Sequence, residues 1–139
     1  MKKIKSIMSM LVSILLVAAI AGCSAKDQLQ SAVDDYNKQC PQDMGNGMEM
    51  TKVAIEDSQL LYIVTIDEQK LVPVSMLEGQ KDTMKKSMES TIKGNPSIKK
   101  LAELLIEANY PMTFRYQNKD ASSKFDVQFT VDELKTLIQ

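Results

Sequence analysis

The run SIMSMLVSILLVAAIAG, residues 6–22, contains no charged side chain, and it decides how much of the chain is left to fold. It follows Met1-Lys2-Lys3-Ile4-Lys5, which carries three lysines and no acid. It ends in small residues, and the chain then turns polar and charged at Ser24-Ala25-Lys26-Asp27. A basic start, an apolar middle and small residues before a break make an export signal. A retained membrane span is the competing reading. Against it, the 17-residue run is slightly short of a comfortable bilayer span. No basic stop-transfer cluster follows either, because Lys26 stands beside Asp27. With residues 1–22 taken as a signal peptide, 117 residues remain, enough for one modest domain.

Ile20-Ala21-Gly22-Cys23, at the end of that run, resembles the lipobox of bacterial lipoproteins. The residue types suit the chemistry: a thiol is the strong soft nucleophile that can take a diacylglyceryl group, and small residues before it let a membrane peptidase close on the backbone. The resemblance implies that Ile20, Ala21 and Gly22 are read by a signal peptidase and that cleavage follows Gly22. It implies a thioether-linked lipid on Cys23, usually with a third, palmitate-type acyl chain on the new amino terminus. One acyl chain binds a membrane only marginally, whereas two or more hold stably. The implied location is the bacterial cell envelope. Because Ser24 rather than Asp follows the cysteine, it is the outer membrane in a Gram-negative cell of enteric type. In a Gram-positive cell it is the outside of the only membrane. An ordinary secretory signal with a chance cysteine is the alternative. Residues 23–26 are then the lipidated cysteine and a very short tether, and residues 27–139 a single domain.

The signal takes three of the 17 basic residues and none of the 18 acidic ones, leaving 14 against 18, a net charge near −4. That balance argues against nucleic acid or an anionic surface as the main partner. With Cys23 committed to lipid, Cys40 has no intramolecular disulfide partner. The chain has no histidine, which removes the commonest general base and the commonest transition-metal ligand together. No GxSxG, P-loop, glycine fingerprint or DxDxDG-like loop occurs. The expectation is a protein that is not an enzyme and holds no cofactor and no resident metal.

Along the domain, Asp27–Lys38 reads as a helix with Leu29, Val33 and Tyr36 on one face, ended by Cys40-Pro41. PQDMGNG, residues 41–47, reads as a loop with an Asn-Gly turn signal. Residues 48–57 predict a strand with Thr51, Val53 and Ile55 on one face. Residues 60–67 predict a central strand, apolar on both faces. Leu77, Met84, Met88 and Ile92 predict one amphipathic helix over 73–92 with Pro73 in its first turn and Gly94 as its stop. Asn95-Pro96 starts the next helix, with Ile98, Leu101, Ala102 and Leu105 inward. PMTFRYQN and KFDVQF are half-buried strands with Met112, Phe114, Tyr116 and Phe125, Val127, Phe129 on their inner faces. Thr130-Val131-Asp132-Glu133 is a capping box, with Phe129 and Leu134 as its staple.

The order α-ββ-αα-ββ-α predicts an α+β domain: a four-stranded antiparallel sheet from two hairpins with helices mainly on one face. A cystatin-like or related curved sheet is compatible with it, and the strand order stays open. On this pattern, with NKQCP (residues 37–41) between a helix and a strand pair, the domain resembles small uncharacterised exported lipoproteins of bacteria such as the Bacteroidetes. The resemblance implies no reaction and no site residues.

Three groups are candidates for chemistry. Cys40 is either a small core residue at a helix end or a thiol for intermolecular or redox use. Met44, Met48 and Met50 are either packing residues or a thioether site for Cu(I). Asp34-Asp35 reads as a solvated pair and Asp132-Glu133 as capping residues. Two functional readings follow. The first is a membrane-tethered binding or assembly domain, non-catalytic, with an envelope protein, a peptide or a glycan as partner. The second is a carrier of a small ligand or Cu(I) that uses the sheet face or the methionine loop.

Overall fold

The computed structural model describes residues 24–139, so the expected signal peptide, residues 1–22, and the expected lipidation site at Cys23, with Ile20, Ala21 and Gly22, lie outside the described residues. The elements are α1 (Ala25–Asn37), β1 (Gln42–Gly45), β2 (Met48–Glu56), β3 (Gln59–Ile66), α2 (Val74–Glu78), α3 (Lys81–Gly94), α4 (Pro96–Ala108), β4 (Met112–Asn118), β5 (Lys124–Phe129) and α5 (Val131–Leu137). The class is α+β, in the order α-βββ-ααα-ββ-α. The strands form one five-stranded sheet in sequential order. All neighbours are antiparallel except β3 and β4, which run parallel with Leu60 opposite Met112 and Ile66 opposite Asn118.

That sheet corrects the four-stranded antiparallel expectation twice. The loop at 41–47 is a hairpin: β1 turns through Asn46 and Gly47, both at positive φ, into β2. Two left-handed residues make the tight hairpin turn whose twist matches the strands, and Asn-Gly is its favoured sequence. The two hairpins then meet through a parallel pair because residues 67–111 intervene. Parallel strands need a crossover of a dozen or more residues, and the three helices supply one.

A bulge in β2 changes which residues face the core. Met50 pairs with Val64 and Lys52 with Ile63, so Thr51 is an extra residue. The bulge flips the alternation: Met48 and Met50 point inward before it, and Val53 after it. Thr51 instead bonds across to Thr65 through their hydroxyls. Beyond the end of β1, Asn37 at the last turn of α1 takes over as neighbour to β2. Its amide donates to the Val53 carbonyl and its Oδ1 accepts from the Val53 N–H at 2.9 Å. One side chain thus satisfies both backbone groups of Val53 on the side of β2 that β1 does not reach.

The helices follow their local signals closely. Asn95 caps α4, accepting from the Ser97 N–H at 3.0 Å with Pro96 next in line. Thr130 and Glu133 form a reciprocal capping box on α5. The expected helix over 73–92 is two helices, broken at Gly79-Gln80, where glycine's low helix propensity outweighs the continuous apolar stripe. α1 begins at Ala25, two residues earlier than expected, because Ser24 caps it and accepts from the Asp27 N–H at 3.2 Å. The expected tether of residues 24–26 therefore shortens to Ser24 itself.

All the helices contribute to one core against one sheet face, where Tyr62, Phe114, Phe129 and Tyr116 are fully buried. Tyr62 stacks on Phe114 at 4.7 Å between ring centroids, and Tyr116 on Phe125 at 5.1 Å. The opposite face carries Ala54, Leu61 and Ile63 among side chains that are otherwise polar. Gln59 accepts from Thr113 at 2.6 Å, and Arg115 makes a two-point ion pair with Asp126 at 2.9 and 3.1 Å.

Candidate binding surfaces

The sequence candidates do not converge. Met48 and Met50 are 2% and 0% exposed on the core side of β2, and Met44 packs partly against the core from the bulge in β1. Packing thus accounts for all three as flexible apolar fillers. Cys40 is half-buried beside the core rather than within it, after α1 has ended. Burial, and then the Glu49 carboxylate, push its thiol pKa up, so less of it is the reactive thiolate at neutral pH. Asp34 and Asp35 are exposed and occupied with near neighbours, Gln30 on the same helix and Lys38 at its C-cap. Glu133 completes its capping box and also receives Lys85 at 2.6 Å.

The loops at the end of the sheet marked by Ile66 bring together residues the sequence did not single out. The hairpin turn at Gly45–Gly47, the β3–α2 loop at 67–71 and the β4–β5 loop at 119–123 meet there. They enclose an open cleft of about 470 Å³ whose charged lining is Asp43, Glu49, Asp67, Lys70 and Lys119. A second hollow of about 260 Å³ adjoins it, between Asp67–Gln69 and Asn118–Asp120.

The loops are locked to each other. The Asp67 N–H donates to the Gly47 carbonyl at 2.7 Å. Glu68 bridges two elements, accepting from the Val74 N–H at 2.8 Å and from the Asn118 amide at 3.2 Å. Gly47 is required twice: its φ is +82°, and a Cβ there would lie 2.9 Å from the Lys70 Cβ. Partial burial pushes the Asp67 carboxyl up. The Gln69 N–H and the Lys119 ammonium, 3.3 Å away, outweigh that and hold it below its ordinary value.

Chemically, this rim presents hydrogen-bonding groups and charges of both signs. Among the described residues no group of three or more His, Cys, Asp or Glu side chains is placed to hold a metal ion. No helix among them is long and apolar enough to cross a membrane. Apart from Met76, about half exposed, the large apolar side chains of the described residues are covered wholly or in part.

No family model matches the chain, and no curated protein matches it in sequence. Two solved structures share its fold. One is a protein of Pseudomonas aeruginosa described as secreted, 10% identical, with a TM-score of 0.57 over 84% of this chain and 99% of that one. The other is the pilotin of the Vibrio vulnificus type 2 secretion system, 6% identical, with a TM-score of 0.55 over 79% of this chain and 91% of that one. At such identities the likeness is one of fold. This α+β arrangement is therefore one that bacterial secreted and secretion-system proteins also adopt.

Proposed function

We propose that the chain is a lipid-anchored protein of the bacterial envelope whose domain binds, or helps to assemble, a macromolecular partner without catalysing a reaction. The observation that carries the reading is the junction at residue 24. The Ile20-to-Cys23 lipobox runs straight into a helix capped by Ser24, so an anchor signal is joined to a folded domain with almost nothing between. The chain offers no histidine for acid–base work. Its core is filled by side chains from all the helices and four of the strands. The fold it shares with a secretion-system pilotin supports the assembly reading at the level of architecture. The net charge near −4 points the search for a partner toward protein, peptide or glycan rather than nucleic acid.

Affinity purification from native membranes tests this. The reading expects Cys23→Ala to leave the membrane fraction or to accumulate as uncleaved precursor. It also expects a stoichiometric partner that the wild-type chain retains and that Lys70→Glu with Lys119→Glu releases. A Cys23→Ala protein that is processed and remains in membranes, or a purified domain that turns over a substrate, would overturn it.

A further inference from the structure

The anchoring reading has a geometric consequence for which surface meets the membrane. Cys23 is one residue from Ser24, so their Cα atoms are about 3.8 Å apart whatever the conformation of the signal. Ser24 is itself fixed: its side chain holds the Asp27 N–H and its carbonyl accepts from the Gln28 N–H at 3.0 Å. The next residue, Ala25, is already in the core. No flexible linker separates the lipid from the domain.

The neighbours of this helix start define one end of the molecule. The Lys26 ammonium sits 5.6 Å from the centre of the Tyr110 ring. Pro111, the next residue, accepts from the Leu60 N–H at 2.9 Å, which places the start of β3 and the Glu56–Gln59 turn at the same end. The charged cleft belongs to the other end, beyond Ile66. Between Gln59 and Thr65 the central strand spans about 20 Å.

We infer that the end of the domain formed by Lys26, Tyr110 and the β2–β3 turn rests against the phospholipid headgroups, and that the cleft end is held away from the membrane. The inference rests on the lipid anchor at Cys23. The Lys26–Tyr110 pair suits the headgroup layer, because an amphipathic ring beside a long-stemmed ammonium can keep its apolar part down and its polar part wet. The contact is imposed by the short tether rather than by attraction of charge, since Glu56 and Asp57 at this end offset Lys26. A partner that binds the cleft would then approach from the aqueous side.

The experiment compares two positions on the same sheet face at its opposite ends. Glu56 and Lys124 are both exposed, Glu56 at the anchor end and Lys124 at the cleft end. The full chain carrying Cys40→Ala and either Glu56→Cys or Lys124→Cys is purified from membranes, and its lipid is verified by intact mass. It is then labelled with a fluorophore and reconstituted into vesicles containing nitroxide-headgroup phospholipids. Quenching several-fold stronger at 56 than at 124, lost when a Gly-Ser insert follows Cys23, is the result expected. Equal quenching would mean that the domain lies flat on that face, and stronger quenching at 124 that it is inverted. Either result, or none at both sites in a chain whose mass shows the lipid, overturns the inference alone. A chain recovered without lipid overturns the anchor reading, and this inference with it.

Discussion

Removing a single oxygen from each of two core tyrosines should make the domain more stable. Tyr62 and Tyr116 are fully buried on the helix side of β3 and β4, and neither hydroxyl has a hydrogen-bond partner among the described residues. Burial pushes both phenols well above their ordinary pKa, so they are neutral at neutral pH. A buried polar group without a partner costs about 1–3 kcal/mol. Phenylalanine keeps the ring, and with it the stacking of Tyr62 on Phe114 and of Tyr116 on Phe125. The void left by one oxygen returns only a few tenths of a kcal/mol at about 24 cal/mol per Å³. Tyr62→Phe and Tyr116→Phe should therefore each gain about 1 kcal/mol, near 3–5 °C in Tm for a domain of this size. Urea unfolding followed by circular dichroism measures it, with unchanged m-values confirming that the folded and unfolded states are comparable. A loss of about 1 kcal/mol in either variant would refute the reasoning, because it would mean the hydroxyl has a partner worth keeping.

Three further outcomes follow from the same kind of reading. Asn37→Ala strips both bonds from the Val53 backbone at the edge of β2 and should cost about 2 kcal/mol in urea unfolding, with exchange protection lost first at Val53. Gly47→Ala combines a left-handed φ with a Cβ 2.9 Å from Lys70, and should cost about 2 kcal/mol or more; a neutral result would mean the cleft loops are not locked. Burial raises the Glu133 carboxyl, but the Lys85 and Thr130 hydrogen bonds outweigh it and set it below its ordinary 4.5. A folded value below the unfolded one stabilises above about pH 4.5 and fades as pH falls through the lowered value. Lys85→Ala should thus narrow the gap in stability between pH 7 and pH 3, read by thermal melts at both.

The parts of the fold that were legible in the sequence are those whose signals are local. Asn95-Pro96 and Thr130-x-x-Glu133 announce helix starts because caps act within three residues. The alternation of Met112, Phe114 and Tyr116, and of Phe125, Val127 and Phe129, reports directly on the buried faces. The structure departs from these local signals where distant partners decide. β1 has no apolar alternation and is a strand only because β2 supplies its hydrogen bonds. The face of Thr51 depends on a bulge set by pairing with β3. The parallel β3–β4 pair depends on where the helical crossover returns. Ser24, by contrast, stands in a readable Ser-x-x-Asp pattern, and its cap sets the helix start two residues before Asp27.

The cleft was opaque for a different reason. Asp43 and Gly47 in the first hairpin, Asp67 and Lys70 after β3, and Lys119 after β4 are far apart in sequence, and no motif there links them as a site. The methionines, which do form a motif, are accounted for by the packing of β1 and β2. A hairpin turn of the Asn-Gly type was the available clue, since its second glycine is also where another loop comes close.

The proposed anchor is tested most directly by the intact mass of the chain extracted with detergent from the membranes of the cells that make it. The account predicts a chain that begins at Cys23, lacks residues 1–22 and is heavier than its sequence by a diacylglyceryl group, with or without a third acyl chain. A chain that begins at Cys23 or nearby with an unmodified mass, or one that keeps residues 1–22, would contradict it.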